Sequence, residues 1–124
     1  MYRQRFGNKY GAVKTEFNGH KYDSKYEAGV AQELELRKKA GDISDYDRQF
    51  KIEAWACRSD GTPAFKVSHK VDFCVHLNDG SFELLEAKGV ETTDYKWRRK
   101  FLENIWLPDH PEYVYTVVKQ RSWR

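Results

Sequence analysis

An alternating segment, a tight turn and a returning segment constrain this chain more than any other feature. Residues 70–77 alternate polar and apolar side chains, and residues 81–88 return after the turn Asn78-Asp79-Gly80. A three-residue loop with glycine in the left-handed position is common in β-hairpins. The sequence therefore predicts two antiparallel strands. The apolar side chains expected to share one face of the first strand are Val71, Phe73, Val75 and Leu77.

The turn also fixes which residues of the two strands lie opposite each other. Pairing Leu77 with Ser81 places Asp72 opposite Glu86. Directly opposed residues have Cβ atoms about 4.5–5.5 Å apart. Because side chains alternate along a strand, Glu86 and Lys88 share the face of Asp72. This register predicts two carboxylates and an ammonium group at one place.

Two carboxylates so placed repel each other, and the pKa of one must rise unless a cation neutralises them. Mg²⁺ and Mn²⁺ prefer oxygen ligands, so we expect Asp72 and Glu86 to bind one of these ions, with the Ala87 carbonyl as a further ligand. Lys88 would bind the scissile phosphate or orient the attacking water. The alternative is an ordinary surface hairpin with a cross-strand Lys–Glu salt bridge.

A third carboxylate comes from the helix predicted before these strands. The helical pattern begins after Asp23-Ser24 and runs to about Ala40, with Gly41 just beyond its end. Glu27 lies on or beside the apolar stripe of this helix. It could therefore join the metal site, form a capping box with Ser24, or do both. The stripe consists of Tyr26, Val30, Ala31 and Leu34.

The remaining pattern predicts one α/β domain, residues 14–124, with a mixed central sheet flanked by two helices and preceded by a basic arm, residues 1–13. An Asn-Gly pair indicates an N-terminal hairpin over residues 14–22. The core order is helix, three strands, helix, strand. The first strand of the core is predicted over 47–56, with Phe50, Ile52 and Ala54 on one face, and a loop follows over 58–63. A second helix is predicted over about 94–107, with Trp97, Phe101 and Ile105 inward and Pro108 just past its end. The last predicted strand covers 113–118.

Charge is distributed unevenly along the chain. The formal net charge is +3, yet residues 1–15 and 95–124 together carry +8 and the middle carries −5. Basic ends suit an anionic partner, and an acidic middle suits a divalent cation. Solvated surface charge is the alternative. The residues predicted to contact nucleic-acid phosphates are Arg3, Arg5, Lys9, Lys96, Arg99 and Lys100.

Composition excludes several classes of protein. No apolar run approaches the roughly 18–20 residues needed to cross a membrane, so we expect no membrane partner. Two cysteines, Cys57 and Cys74, rule out a disulfide framework. We therefore expect a reduced, cytoplasmic protein in which Cys74 is a small buried hydrophobe. The four histidines lack zinc-ligand spacing, and His76 is expected to be an ordinary edge histidine.

Asp72 followed by Glu86-Ala87-Lys88 resembles the signature of the PD-(D/E)XK nuclease superfamily. The predicted order of helices and strands is similar to that superfamily's core, although Val71 stands where the motif's name has proline. A closer likeness, to a family of small phage-encoded nucleases of this superfamily, covers roughly residues 8–118. It is carried by residues 9–15, Gly19, residues 23–28, Arg48-Gln49, Val71-Asp72-Phe73, Glu86-Ala87-Lys88-Gly89 and residues 92–99.

This resemblance implies a restriction-endonuclease-like fold and hydrolysis of DNA with Mg²⁺ or Mn²⁺ as cofactor. It implies catalytic roles for Glu27, Asp72, Glu86 and Lys88, and a supporting role for Gln49. The superfamily includes restriction enzymes, phage exonucleases and Holliday-junction resolvases, so branched DNA is one candidate substrate. A homodimer that cuts two strands suits a chain of this size, in the cytoplasm of a bacterial host if the protein is phage-encoded.

Two other functions fit the same residues. A non-catalytic nucleic-acid-binding module would keep the fold without turnover. A structural or interaction protein would use the acidic residues as a calcium-like site. The nuclease requires three carboxylates and the lysine, and the sequence contains all four, which favours the nuclease.

Overall fold

The computed structural model describes residues 15–17, 19–22, 25–88 and 91–119. In chain order, its elements are β1 (Thr15–Phe17), β2 (His20–Tyr22), α1 (Lys25–Ala40), β3 (Asp45–Cys57), β4 (Pro63–His76), β5 (Phe82–Lys88), α2 (Thr93–Phe101) and β6 (Tyr113–Lys119). A π-helical turn, Leu102–Trp106, and a 3₁₀ turn, Leu107–Asp109, connect α2 to β6. The N-terminal hairpin and the order helix, three strands, helix, strand are confirmed. The predicted arm, residues 1–13, lies outside the described residues.

The four-stranded sheet is mixed, as the sequence predicts. Its strand order is β3-β4-β5-β6, and the neighbours are antiparallel except β5 and β6, which run parallel. A parallel pair needs a crossover connection, which α2 and the turns after it provide. Leu84 and Leu85 of β5 enter different core clusters because successive side chains point to opposite faces. The domain is therefore an α/β sheet with a hydrophobic core on each face.

Each core cluster joins one helical segment to the sheet. The first combines α1 and the N-terminal hairpin with the sheet through Tyr22, Ala28, Ala31, Leu34, Ile43, Phe73, Val75 and Leu85. The second combines the turn after α2 with the opposite face through Ile52, Val71, Cys74, Leu84, Leu102 and Trp106. Among the described residues, no helix has the length and apolar character needed to span a bilayer.

The hairpin of β4 and β5 has the predicted register. Gly80 adopts a φ of +91°, the left-handed conformation that glycine tolerates without steric cost. The Leu77 N–H donates to the Ser81 carbonyl over 2.9 Å. The ladder ends at the pair formed by Phe73 and Leu85. The next residues along the two strands are Asp72 and Glu86.

Helix α1 ends at Ala40, as predicted. Gly41 has a φ of +85°, and its N–H donates to the Lys38 carbonyl. The next N–H, that of Asp42, donates to the Arg37 carbonyl. This pair of hydrogen bonds is a Schellman motif, which satisfies carbonyls left unpaired at a helix end.

The buried face of α1 is rotated from the predicted stripe. Ala31 and Leu34 are buried as expected, whereas Tyr26 and Val30 are only half-buried. Alanine at positions 28 and 31 leaves room for the helix to approach the sheet closely. The rotation also buries Glu27, which retains 8% of its surface exposed.

Strands β3 and β4 form a longer hairpin than the sequence predicts. Their pairing continues to Cys57 and Pro63, so the predicted loop is shortened to residues 58–62. Phe50, Ile52 and Ala54 all pack against the second cluster, which confirms the face predicted for them.

Gln49 interrupts the alternation of this hairpin. Its φ is +55°, in the left-handed region that a residue with a side chain rarely adopts. Tyr46 packs against the first cluster and Phe50 against the second, although their spacing would place them on one face of a regular strand. On β4, Val71 and Phe73 are divided in the same way. The prediction that Val71 shares the face of Phe73 is therefore wrong, since the hairpin twists at this position.

The prediction for the second helix is wrong about which face is buried. Trp97 and Ile105 are exposed, and Phe101 is half-buried. The buried residues of this segment are Tyr95, Leu102 and Trp106. Pro108 lies within the 3₁₀ turn instead of just past a continuous α-helix.

The predicted and the observed buried residues both have helical spacing, so spacing alone does not distinguish the two faces. Contacts with β6 and with the turn before it select the observed face. The Tyr95 hydroxyl lies 2.8 Å from the Tyr115 hydroxyl. The Trp106 ring stacks on His110 with 3.8 Å between centroids and meets Tyr113 edge-on. The π-helical turn at Leu102–Trp106 also changes the phase of the helix relative to a regular one.

Candidate metal and catalytic site

Asp72 and Glu86 lie where the β4–β5 ladder ends. The Ala87 N–H donates to Oδ2 of Asp72 over 2.8 Å, so the carboxylate reaches the backbone of the neighbouring strand. Glu86 is 2% exposed. The hairpin therefore brings the two predicted acidic residues together, with Ala87 between Glu86 and Lys88. The Ala87 carbonyl as a metal ligand stays a prediction.

Asp72 carries a strongly raised pKa. Burial is the main cause, and the charges of Glu27 and Glu86 add to it. The Ala87 hydrogen bond and the Lys88 charge act in the opposite direction but leave the pKa of Asp72 at about 8. The pKa of one carboxyl rises as predicted, although burial contributes more than the repulsion on which the prediction was based. Glu27, Glu86 and Lys88 thus all act electrostatically on the half-buried Asp72.

Glu27 enters this environment from the first turn of α1. It is buried beside Ala28, a core residue of the first cluster. Ser24, the partner in the alternative capping box, lies outside the described residues, so that alternative stays open. A carboxylate at the start of a helix is favoured by the helix dipole in either role.

Two side chains hold Glu86, and neither was predicted from the sequence. His69 Nε2 lies 2.8 Å from Glu86 Oε1, and the Tyr115 hydroxyl donates to the same oxygen over 2.7 Å. The Tyr95 hydroxyl contacts that of Tyr115. Burial and the neighbouring Glu86 raise the pKa of Tyr115, so this hydroxyl remains protonated and able to donate.

Chain spacing could not have revealed these partners. His69 is on β4 before the strand twists, where simple alternation would place it on the face opposite Asp72. Tyr115 reaches Glu86 only because β6 lies parallel to β5, with Leu84 beside Tyr115 and Glu86 beside Val117. The register of a parallel pair is set by packing and not by a local turn.

Lys88 is oriented by an aromatic ring of α2. Its Nζ lies 4.3 Å from the centroid of Tyr95, a cation–π contact, and its charge lowers the pKa of Asp72. Tyr95 thus contacts both Lys88 and the Tyr115 hydroxyl. Burying Tyr95 in place of Trp97 couples the helix directly to the candidate site.

Gln49 lies on β3 opposite Asp72. The register pairs Arg48 with Phe73 and Phe50 with Val71, so Gln49 and Asp72 occupy the position between them. The side chain of Gln49 is exposed, and its backbone has the left-handed conformation. That conformation costs about 1–3 kcal/mol for a residue other than glycine. Such strain is concentrated at functional sites, which supports the expected supporting role.

The predicted nucleic-acid contacts are only partly available to a partner. Lys96 and Lys100 are exposed on α2. Arg99 is half-buried, its Nε lies 3.2 Å from Glu103 Oε2, and its guanidinium carbon lies 5.9 Å from the centroid of the Tyr115 ring. The other three predicted contacts, Arg3, Arg5 and Lys9, lie outside the described residues.

The donor set of the site fits a hard divalent cation. Asp72, Glu86 and Glu27 offer carboxylate oxygens, which Mg²⁺ and Mn²⁺ prefer over nitrogen and sulfur. Cation binding would offset both the burial of the Asp72 charge and its repulsion by Glu27 and Glu86, which together raise the pKa of Asp72. The residues present thus suit the metal that the sequence led us to expect.

Comparison with known proteins places the chain in a family. The family described as protein of unknown function (DUF1064) matches residues 7–121. The chain belongs to this family. The DUF1064 match spans all five predicted catalytic and supporting residues: Glu27, Gln49, Asp72, Glu86 and Lys88. No curated protein and no solved structure matches the chain.

Proposed function

We propose that this DUF1064 protein is a metal-dependent DNA endonuclease of the PD-(D/E)XK type. The observation that carries the proposal is the cluster of acidic side chains around Asp72. Burial raises the pKa of Asp72, the charges of Glu27 and Glu86 add to that rise, and Lys88 opposes it. Buried like charges are costly unless they serve a ligand or a reaction. A structural hairpin with a surface salt bridge would need no such cluster.

Each side chain has a distinct task in this proposal. Asp72 and Glu86 would hold Mg²⁺ or Mn²⁺, with the Ala87 carbonyl and Glu27 completing the ligand set. When bound, the cation supplies Lewis-acid chemistry, lowering the pKa of water and stabilising charge on the phosphate. Lys88 orients the attacking water or stabilises the developing negative charge. His69 and Tyr115 fix the orientation of Glu86.

The exposed face of α2 supports a nucleic-acid substrate. The rings of Trp97 and Phe101 stack with 5.9 Å between centroids, and Trp97 is 51% exposed. Together with Lys100 they line an open surface depression. Aromatic rings suit unstacked bases and lysines suit phosphates, so this face fits distorted or branched DNA.

Nuclease assays on three substrates test the proposal. Supercoiled plasmid, linear duplex and a four-way junction are incubated with Mg²⁺, Mn²⁺ or EDTA. We expect cleavage with either metal, none with EDTA, and none for Asp72→Asn. Glu83→Gln, which removes a carboxylate from the same strand outside the site, is the matched control and should retain cleavage. Binding without cleavage in every metal would instead support the non-catalytic nucleic-acid-binding module.

A further inference from the structure

A second group of metal-ligating side chains lies outside the carboxylate site. Asp47 of β3 pairs with Cys74 of β4, and His76 follows two residues later on the same side of β4. One ligand atom from each residue lies within 4.8 Å of those of the other two. His76 Nε2 and Asp47 Oδ2 are 2.7 Å apart. Neighbouring strands thus present a thiol, an imidazole and a carboxylate to one point.

We propose that Asp47, Cys74 and His76 form a zinc site. Zn²⁺ takes thiolate, imidazole and carboxylate ligands at about 2.0–2.3 Å in a tetrahedron, which places ligand atoms about 3.3–3.8 Å from one another. The His76–Asp47 separation of 2.7 Å is slightly below that range, and the thiol lies within 4.8 Å of both, so shifts of no more than about 1–1.5 Å bring the three ligand atoms to these spacings. The Cys74 thiol releases its proton to solvent as the zinc–sulfur bond forms. Three protein ligands leave the fourth position to water.

The location gives the ion a route in from solvent. β3 is an edge strand of the sheet. The side chain of Asp47 is 55% exposed and that of His76 is 34% exposed, whereas Cys74 is buried in the second core cluster. Zinc would therefore enter at the sheet edge and bind the buried sulfur of Cys74. The Phe82 ring contacts His76 edge-on with 5.3 Å between centroids and supports the imidazole.

The ligand types separate this site from the carboxylate site. A thiolate and an imidazole select a borderline-soft ion such as Zn²⁺ or Co²⁺, while carboxylates alone select Mg²⁺ or Mn²⁺. The zinc site also joins β3 to β4 two residues from Gln49 and Asp72, where the hairpin twists. Bound zinc would therefore hold the strands in register beside the carboxylate site and stabilise the fold.

Metal titration of the full, untagged chain tests this site. The probes are Zn²⁺ in competition with a chromophoric chelator, and Co²⁺ followed by its thiolate charge-transfer absorption. We expect the cobalt–thiolate band in the presence of excess Mg²⁺, and a higher melting temperature with Zn²⁺. Asp47→Asn and His76→Gln should each weaken zinc binding at least tenfold. Both residues reach solvent, so these variants should fold even if Cys74→Ala does not.

The second cysteine provides the matched control. Cys57 is exposed at the far end of the β3–β4 hairpin, and Cys57→Ser should leave the cobalt band and the zinc affinity unchanged. Loss of the band in Cys57→Ser would overturn the proposal. So would the absence of a thiolate band in the wild-type protein, or zinc affinity that is unchanged in both Asp47→Asn and His76→Gln.

Discussion

Glu86 shows how much a single carboxylate depends on its neighbours. One of its oxygens receives both the Tyr115 hydroxyl and the ring nitrogen of His69. Hydrogen-bonding partners of this kind orient metal ligands, and their loss typically weakens metal binding or activity about 10–100-fold. His69 and Tyr115 are therefore positioning residues for the proposed reaction.

Tyr115→Phe tests this positioning role. The variant removes the hydroxyl and keeps the ring, so we expect cleavage to fall about 10–100-fold and Mg²⁺ affinity to weaken. The free energy of unfolding should fall by only about 1–3 kcal/mol, for one buried hydrogen-bonding group. Tyr113→Phe, on the same strand, is the control and should keep full activity. Equal activity in both variants would show that Glu86 needs no such support.

Lys88→Ala separates catalysis from binding. Because Lys88 is proposed to act on charge that develops in the transition state, we expect cleavage to fall about 100-fold or more. DNA affinity measured in Ca²⁺ should change little. Lys70→Ala, an exposed lysine on β4, should retain cleavage. Near-normal turnover of Lys88→Ala would exclude a catalytic lysine at this position.

The raised pKa of Asp72 predicts how stability depends on pH without metal. A carboxyl with an ordinary pKa of 3.8 unfolded and about 8 folded holds its proton more tightly in the native state. In EDTA, stability should therefore fall as pH rises from about 4 to about 8, then level off for this group. Thermal melts across this range should show a smaller decrease for Asp72→Asn. An equal decrease in both proteins would contradict the assignment.

At the scale of elements, α1 and α2 each contribute one feature that spacing left open. Glu27 is buried at the start of α1, where it could be a ligand or a helix cap. On α2, Trp97 of the predicted inward stripe lies at the surface, so Trp97 and the neighbouring Lys96 and Lys100 are available to a partner.

Glu27→Gln separates the two roles of the α1 carboxylate. Glutamine preserves a capping-box partner but removes the negative charge needed at a metal site. We expect nearly unchanged thermal stability in EDTA and strongly reduced cleavage. Glu33→Gln, an exposed glutamate on the same helix, should behave as wild type. A loss of about 1 kcal/mol with cleavage preserved would favour the cap.

The exposed face of α2 predicts a change in the salt dependence of DNA binding. Each phosphate contact steepens the log–log slope by roughly 0.9 on duplex DNA, so Lys96→Ala with Lys100→Ala should flatten it by about two units. Binding is measured in Ca²⁺ to suppress turnover. Lys38→Ala with Lys39→Ala, at the end of α1, removes the same charge and should keep the wild-type slope if α2 is the contact face. If the two double variants have equal slopes of log affinity against log salt concentration, the DNA phosphates contact another part of the protein.

At the scale of the whole molecule, the carboxylate site links metal binding to folding. The site draws on α1, β4 and β5, and those elements are assembled only in the native state. A cation that binds the native state alone stabilises it by about 2.7 kcal/mol at a concentration one hundredfold above its Kd. Mg²⁺ or Mn²⁺ should therefore raise the melting temperature relative to EDTA, and Asp72→Asn should remove most of that gain. Identical melts with and without metal would remove the main support for the site.

The sequence by itself determined the features that depend on neighbouring residues. Gly80 sets the β4–β5 turn, and the register that ends at Phe73 with Leu85, one residue before Asp72 and Glu86, follows from it by counting. Gly41 ends α1, and the apolar pattern predicts the order of helices and strands. These predictions succeeded because turn chemistry and side-chain alternation act over a few residues.

Tertiary structure alone decided the features that depend on residues far apart in the chain. The parallel register of β6 brings Tyr115 to Glu86, and the rotation of α2 brings Tyr95 to Lys88. The left-handed Gln49 twists the hairpin and divides Val71 from Phe73. In each case two arrangements satisfy the local pattern equally well. Packing between distant elements selects one of them, because only the assembled core distinguishes their buried area and hydrogen bonds.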